Sequence, residues 1–233
     1  MGSRSKTHRR RLARTQRLFD FDRGLESRLV AGADEAGRGC LAGPLVAAAV
    51  LIDYGTLSRS DRRALAGLHD SKQMNAERRE ELYPAVLRAA DRTSIVVRCV
   101  RGIDARGLHV TNIEALASAL EALDPGEATC LVDGFRLRPC QVPHRHVVEG
   151  DGTSAAIAAA SILAKVTRDR FMRRIAPAHP GWGFDEHVGY STPEHRAAIE
   201  RIGISPQHRR SFQSVAYSSS SWPDRQNADS MCS

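Results

Sequence analysis

Two apolar stretches, residues 29–33 and 44–53, stand on either side of a short segment that carries Asp34, Glu35 and the glycines Gly37, Gly39 and Gly43. The second stretch is almost unbroken Val, Ala, Leu and Ile, the composition of a strand covered on both faces. With glycines to make the turn, the two read as a β-hairpin inside a core. A strand buried on both sides requires helices over each face, and the remaining sequence supplies candidates. Residues 76–91 have helical spacing with charges outward, 94–100 alternate like a strand, and 111–123 return to helical period behind Thr111, which is placed to cap. Short strands are expected at 129–133 and 141–148. Each runs out at an aspartate beside a glycine: Asp133 before Gly134, Asp151 after Gly150. A long helix over 153–176 follows, with a first half of small residues that permit close approach to a sheet and a second half that is basic and expected to be exposed. Thr192-Pro193 and Ser205-Pro206 each have the form of a cap followed by proline at the first helical position, so two short helices should close the chain. The fold class is α/β.

The 233 residues suffice for one main domain with a real core. A net charge of +7 favours polyanions, nucleic acid first among them. Much of the excess lies in residues 1–17, however, and a basic disordered arm there would give the same total. Residues 1–17 and the serine-rich 218–233 are read as disordered ends, leaving 18–190 as the main domain and 191–217 as a small helical appendage. The five cysteines show no short paired spacing, which argues against a disulfide framework and a zinc site and suits a reducing cytoplasm. No apolar run approaches the ~18 residues of a spanning helix, so a soluble cytoplasmic protein without membrane contact is expected.

Asp34, Glu35, Asp133 and Asp151 are acidic residues at strand ends among apolar sequence. A desolvated carboxylate is costly unless it is paired, hydrogen-bonded or bound to a metal. Four converging carboxylates would make a hard-oxygen site suited to Mg²⁺ or Mn²⁺. The plainer alternative stays open at this level: aspartates before glycine are common turn residues, and Asp34 and Glu35 could pair with arginines. Adjacent strand residues also point to opposite faces, so Asp34 and Glu35 can share one ion only if the strand ends or bends there, which Gly37 and Gly39 would allow.

The segment from Gly32 through Asp34-Glu35-Ala36-Gly37-Arg38-Gly39 to Gly43-Pro44 resembles the opening signature of the type II ribonuclease H family. Further matching pieces follow in the family's order: Asp70-Ser71-Lys72, Val132-Asp133-Gly134, Gly150-Asp151, the run from Ile157 to Asp169, Gly189-Tyr190-Ser191-Thr192, and His208-Arg209-Arg210-Ser211-Phe212. The resemblance covers roughly residues 29–215. It implies a mixed central sheet flanked by helices, and a site where Asp34, Glu35, Asp133 and Asp151 hold two Mn²⁺ or Mg²⁺ ions. The implied activity is endonucleolytic hydrolysis of the RNA strand of RNA/DNA hybrids and nicking 5′ to single ribonucleotides in duplex DNA, by a monomer, leaving 3′-hydroxyl and 5′-phosphate ends.

By the same resemblance Gly37, Arg38 and Gly39 form the loop that detects the ribose 2′-hydroxyl, with glycine allowing main chain to approach the ligand. Tyr190 would stack on the neighbouring sugar. Lys72 and Lys165 resemble lysines at the nucleic-acid face, and His208, Arg209 and Arg210 would add phosphate contacts. Thr153 and Ser154 are read either as phosphate ligands or as a simple cap, and His187 as structural. Gln73-Met74 and Trp182 depart from the usual pattern without touching the acidic residues. Asp151 and the short basic start favour type II over the related type III enzymes. A nucleic-acid-binding protein that does not cleave is the alternative, and a phosphatase of small esters would leave the Gly-Arg-Gly loop unexplained.

Overall fold

The computed structural model describes residues 2–69, 71, 74–138 and 140–212. These form a five-stranded sheet in the order β3-β2-β1-β4-β5, with β1 Leu29–Ala36, β2 Leu45–Asp53, β3 Arg92–Arg98, β4 Thr129–Asp133 and β5 Arg145–Val147. The first three strands are antiparallel, while β4 runs parallel to β1 and to β5. The sheet is therefore mixed. Helices α1 Gly2–Arg23, α2 Arg59–Ala64, α3 Ala76–Ala89, α4 Val100–Arg106, α5 Leu108–Leu123, α6 Ala155–Ile175 and α7 Pro193–Ile202 surround it. Among the described residues no helix is long and apolar enough to cross a membrane.

The hairpin forms as expected, in register from Leu29↔Asp53 to Ala36↔Val46. Strand alternation divides its side chains between two cores. Val30, Val46, Ala48, Val50 and Ile52 pack with α6, and Ala31, Ala33, Leu45, Ala47, Ala49 and Leu51 pack with α5. Each fully buried Val, Leu or Ile contributes about 1.5–3 kcal/mol relative to exposure, so this doubly covered strand pair anchors the fold. Close approach of α6 needs glycine at one point: a Cβ on Gly32 would lie 2.2 Å from the main chain of Ala156 and Ile157.

Several expectations need correction. The strand β1 continues through Asp34 and Glu35 and pairs as far as Ala36, so it does not end at the acidic pair. Thr111 does not cap; its hydroxyl donates to the Gly107 carbonyl at 2.9 Å, and α5 starts earlier, at Leu108, after a Gly107 with φ 81° that separates it from an unforeseen α4. The strand expected over 141–148 is reduced to Arg145–Val147 because the His144 imidazole takes the Leu137 N–H and bonds the Val142 carbonyl, building a loop instead of a ladder. The last residues of the basic arm are packed. Residues up to Arg23 belong to α1, where Thr15, Leu18 and Phe19 are buried and the Thr15 hydroxyl bridges the Leu68 carbonyl and the Gly67 amide. Thr15, Leu18 and Phe19 stand among charged and polar residues, which hides them from a pattern search.

The second half of α6 is only in part the exposed basic face expected: Arg170, Arg173 and Arg174 are exposed, whereas Arg168, Asp169 and Met172 are buried. In the C-terminal region α7 begins as expected, with the Thr192 side chain accepting from His195 N and Pro193 in the first turn. Ser205-Pro206 does not start a helix. Its hydroxyl accepts from Gln207 N at 3.2 Å and its N–H donates to His208 Nδ1, which closes a tight turn. Leu41, Ile199, Ile204 and Phe212 then pack together, which seats this region on the β1–β2 turn. Residues 213–233, with the expected tail, lie outside the described residues.

Candidate active site

Three of the four carboxylates meet at the C-terminal ends of β1 and β4. Asp34 is buried on the α6 side of the sheet, and its Oδ1 accepts from the Glu35 N–H at 2.7 Å. Burial first, then the charges of Glu35 and Asp133, hold its carboxyl well above the usual carboxylate range, offset only in part by the Ser161 hydroxyl and the Glu35 amide. Its Oδ2 is buried with no hydrogen-bond partner. By alternation Glu35 faces the α5 side, where Oε1 lies 3.5 Å from Arg38 Nη1. Asp133 ends β4 and its Oδ1 accepts from Gly150 N at 2.7 Å, which ties it to the one-turn 3₁₀ helix Gly150–Gly152 that carries the buried Asp151. Among the described residues no three His, Cys, Asp or Glu side chains are gathered tightly enough to enclose a metal ion. Asp34, Glu35 and Asp133 are nonetheless the oxygen donors whose mutual repulsion a divalent cation would relieve.

Beside them opens a cavity of about 660 Å³ lined by Glu35, Gly37, Arg38, Gly39, Lys165 and Tyr190, together with Ser71, Met74 and Arg79. The two glycines of the loop differ. Gly37 has φ 101°, and a Cβ there would lie 2.3 Å from Arg168 Nε and 2.7 Å from the Pro44 carbonyl, so glycine is demanded by the protein's own packing. Above Gly39 a Cβ would meet nothing within 4 Å, and its exposed main chain is open to a ligand. Arg38 folds its guanidinium over the Phe135 ring at 4.6 Å.

Lys165 is not a free surface ammonium. It is buried, bonds both Asp169 oxygens at 2.6 and 2.8 Å, and lies 4.9 Å from the centre of the Tyr190 ring. Burial lowers its pKa, and the Asp169 carboxylate opposes that shift. Burial, with the Cys40 thiol adding to it, pushes the Tyr190 phenol up to about 12, so it carries its proton and offers a neutral ring.

The remaining expected contacts are placed elsewhere. Ser154 is the α6 cap, accepting from Ile157 N at 3.3 Å, and Asp22 of α1 takes the adjacent Ala156 N–H, so this helix start is already occupied by a carboxylate. Thr153 donates to the Glu149 carbonyl. His208 and Arg209 are buried and hold main chain, not phosphate. Arg209 donates to the carbonyls of Arg38, Gly43 and Pro44, and His208 bonds Ser205 and His195. Arg210 is exposed, and its N–H bonds Asp104. Lys72 lies outside the described residues.

Sequence reading missed Arg168, which is fully buried and donates to the carbonyls of Ala42, Pro44 and Val188. It also missed the Ser71···Ser161 hydroxyl pair at 2.7 Å, which brings Ser71 near Asp34 through Ser161. Arg168, one turn beyond the small-residue half of α6, was a visible signal, since a cation on a sheet-facing helix must find acceptors.

Comparison with known proteins identifies the family. The family model described as Ribonuclease HII matches residues 31–215. A Ribonuclease HII from Nocardia farcinica is 50% identical over 186 residues, 80% of this chain and 72% of its own length. One from Geobacillus kaustophilus is 42% identical over 205 residues, 87% and 76% of the two chains. Among solved structures, the ribonuclease H2 of Pyrococcus horikoshii OT3 superposes with a TM-score of 0.66 at 27% identity, covering 79% of this chain and 94% of that one. With half of 186 aligned residues identical to one relative and the family match running from β1 past the buried Arg209, the chain belongs to the ribonuclease HII family of ribonuclease H endonucleases.

Proposed function

We propose that this protein hydrolyses the RNA strand of RNA/DNA hybrids and nicks duplex DNA on the 5′ side of a single ribonucleotide, leaving 3′-hydroxyl and 5′-phosphate ends. The observation that carries the reading is Asp34: a buried carboxylate oxygen without a hydrogen-bond partner, crowded by the charges of Glu35 and Asp133. Such a group is stable only if protonated or beside a cation. Asp34, Glu35, Asp133 and Asp151 fit Mg²⁺ or Mn²⁺ as hard oxygen donors. Two such ions, when bound, supply an activated water and charge stabilisation for the leaving oxygen of an in-line displacement.

The chain's own residues position the substrate. The open main chain at Gly39 gives a ribose 2′-hydroxyl room to bond backbone groups, the discrimination that separates RNA from DNA. Tyr190 presents a protonated, half-buried ring to the next sugar, and Lys165, bonded to Asp169, lies 4.9 Å from the centre of that ring. Arg38, partly exposed at the rim, is the cation that meets the flanking phosphate. The test is cleavage of a uniform RNA/DNA hybrid against the same sequence as all-DNA duplex, with Mn²⁺. Cutting of the hybrid alone supports the reading; equal cutting of both would remove the 2′-hydroxyl from it.

A further inference from the structure

Behind Tyr190 lies a cluster of imidazoles that the reaction does not use directly. His195 on α7 and His208 in the Ser205 turn are buried, and their Nε2 atoms are 3.0 Å apart. His195 Nδ1 is 2.8 Å from the Tyr190 carbonyl, and His208 Nδ1 is 2.8 Å from the Ser205 amide nitrogen. The ring of His187 stacks on His195 with centroids 4.1 Å apart.

The partners fix every proton. A main-chain amide only donates, so His208 Nδ1, which the Ser205 hydroxyl also approaches at 2.8 Å, is assigned as the acceptor and its hydrogen to Nε2. That hydrogen faces His195 Nε2, which must accept, so the His195 proton sits on Nδ1 and is donated to a carbonyl that only accepts. His187 is determined in the same way, with Gly189 N–H on Nδ1 at 3.2 Å and the Trp182 carbonyl 2.6 Å from Nε2. The result is a one-way chain from the Ser205 amide through two neutral imidazoles to the main chain of Tyr190. Burial favours this neutral form, pushing His195 down to about 4 and His208 down to about 3.

The chain ends on a segment that needs holding. Val188 has φ 45° and Gly189 φ 85°, and a β-branched residue in the left-handed region is strained unless its surroundings over-determine it. Arg168 holds the Val188 carbonyl, and the Tyr190 carbonyl takes Thr192 N–H as well as His195.

We propose that His195 and His208 are positioning residues for ribonucleotide reading: their directional hydrogen-bond chain fixes the Tyr190 main chain, and through it the ring that meets the sugar. This rests on the role given to Tyr190 above. Misplacing a substrate-positioning group by about 1 Å costs on the order of a hundredfold in rate, so loss of the chain should weigh on kcat for the substrate that depends on one ring.

The test uses the full chain with Mn²⁺ and two substrates, duplex DNA with one ribonucleotide and uniform RNA/DNA hybrid, for wild type, Tyr190→Ala, His195→Leu and His195→Asn. His195→Leu should lower kcat on the single-ribonucleotide duplex at least about tenfold more than on the hybrid, with KM little changed. His195→Asn, whose amide can stand where Nδ1–H stood, should restore the ratio to within a few-fold. Equal losses on both substrates, or no rescue by Asn, would overturn the proposal as a mere packing effect. An unchanged ratio in Tyr190→Ala overturns the Tyr190 role and the proposal with it, whereas a changed ratio there with an unchanged one in His195→Leu overturns the proposal alone. A long-range ¹H–¹⁵N imidazole spectrum of wild type at pH 7 needs no variant: it should show His195 as the Nδ1–H and His208 as the Nε2–H tautomer, and the reverse assignment would contradict the chain.

Discussion

Arg209 donates from Nη1 to the main-chain carbonyl of Arg38, 171 residues earlier, at 3.1 Å. The same guanidinium reaches the Gly43 and Pro44 carbonyls, so one buried cation from the C-terminal region sets both ends of the loop that lines the cavity. Replacing it with alanine takes the arginine donors from the Arg38 and Gly43 carbonyls, leaves Pro44 with Arg168 alone of the two guanidinium donors, and opens a void. Arg209→Ala should therefore lose about 3–5 kcal/mol of unfolding free energy in urea. Arg209→Lys should recover less than half, because an ammonium cannot span the carbonyls that a planar fork reaches. Full stability of the alanine variant would show that the clamp is dispensable.

Gly37 and Gly39 should separate stability from substrate reading. Gly37→Ala meets Arg168 and Pro44 at a φ of 101°, and should cost about 2–4 kcal/mol. Gly39→Ala meets open space and should stay within about 0.5 kcal/mol of wild type while cutting ribonucleotide-containing duplex poorly. Paired thermal melts and cleavage rates decide this, and a Gly39 variant with both properties intact would remove that glycine from substrate recognition.

The neutral imidazoles make stability fall on acidification. His195 and His208 titrate at about 4 and about 3 in the folded protein, below the ordinary 6.5 that they regain on unfolding. The unfolded chain thus binds protons that the folded one refuses. Their contribution is complete above pH 6.5 and is lost as pH falls from there towards the folded values, by up to several kcal/mol in total. Urea unfolding across pH 7.5 to 4.5 should show this slope in wild type and a shallower one in His195→Asn. Identical slopes would contradict it.

The hairpin, the long small-residue helix and the strand ending at Asp133 were legible because doubly buried strands and sheet-facing helices leave strong periodic patterns. What escaped depends on contacts far apart in sequence. Nothing near His208 or Arg209 says that they turn inward, and basic residues beside a polar chain end look like a phosphate-binding face until the carbonyls of Arg38, Gly43 and Pro44 are seen to claim one of them. The packing of α1 was hidden for a related reason: Asp22 finds its partners far along the chain, in the Tyr54 hydroxyl and at the start of α6. Of the acidic set, the positions were readable, but the persistence of β1 through Glu35 was not, since Gly37, one of the two glycines that suggested a bend, serves the packing of Arg168 instead.

Asp34→Asn removes a buried charge that Glu35 and Asp133 oppose. In chelator the variant should be at least as stable as wild type. With Mn²⁺ the order should reverse, since ion binding stabilises only the chain that keeps its ligand. Cleavage should drop by more than about a hundredfold, beyond what loss of an outer partner costs a metal site. Equal Mn²⁺-induced shifts in melting temperature for the two proteins would argue that Asp34 holds no metal.

The central claim is tested most directly by mapping the cut. Labelled duplex DNA with one ribonucleotide is incubated with the protein in Mn²⁺, Mg²⁺ or chelator, and the product ends are read on a sequencing gel. The account predicts a nick on the 5′ side of the ribonucleotide with a 3′-hydroxyl end, present with either ion and absent in chelator. Binding of that duplex without any cut in either metal would contradict it.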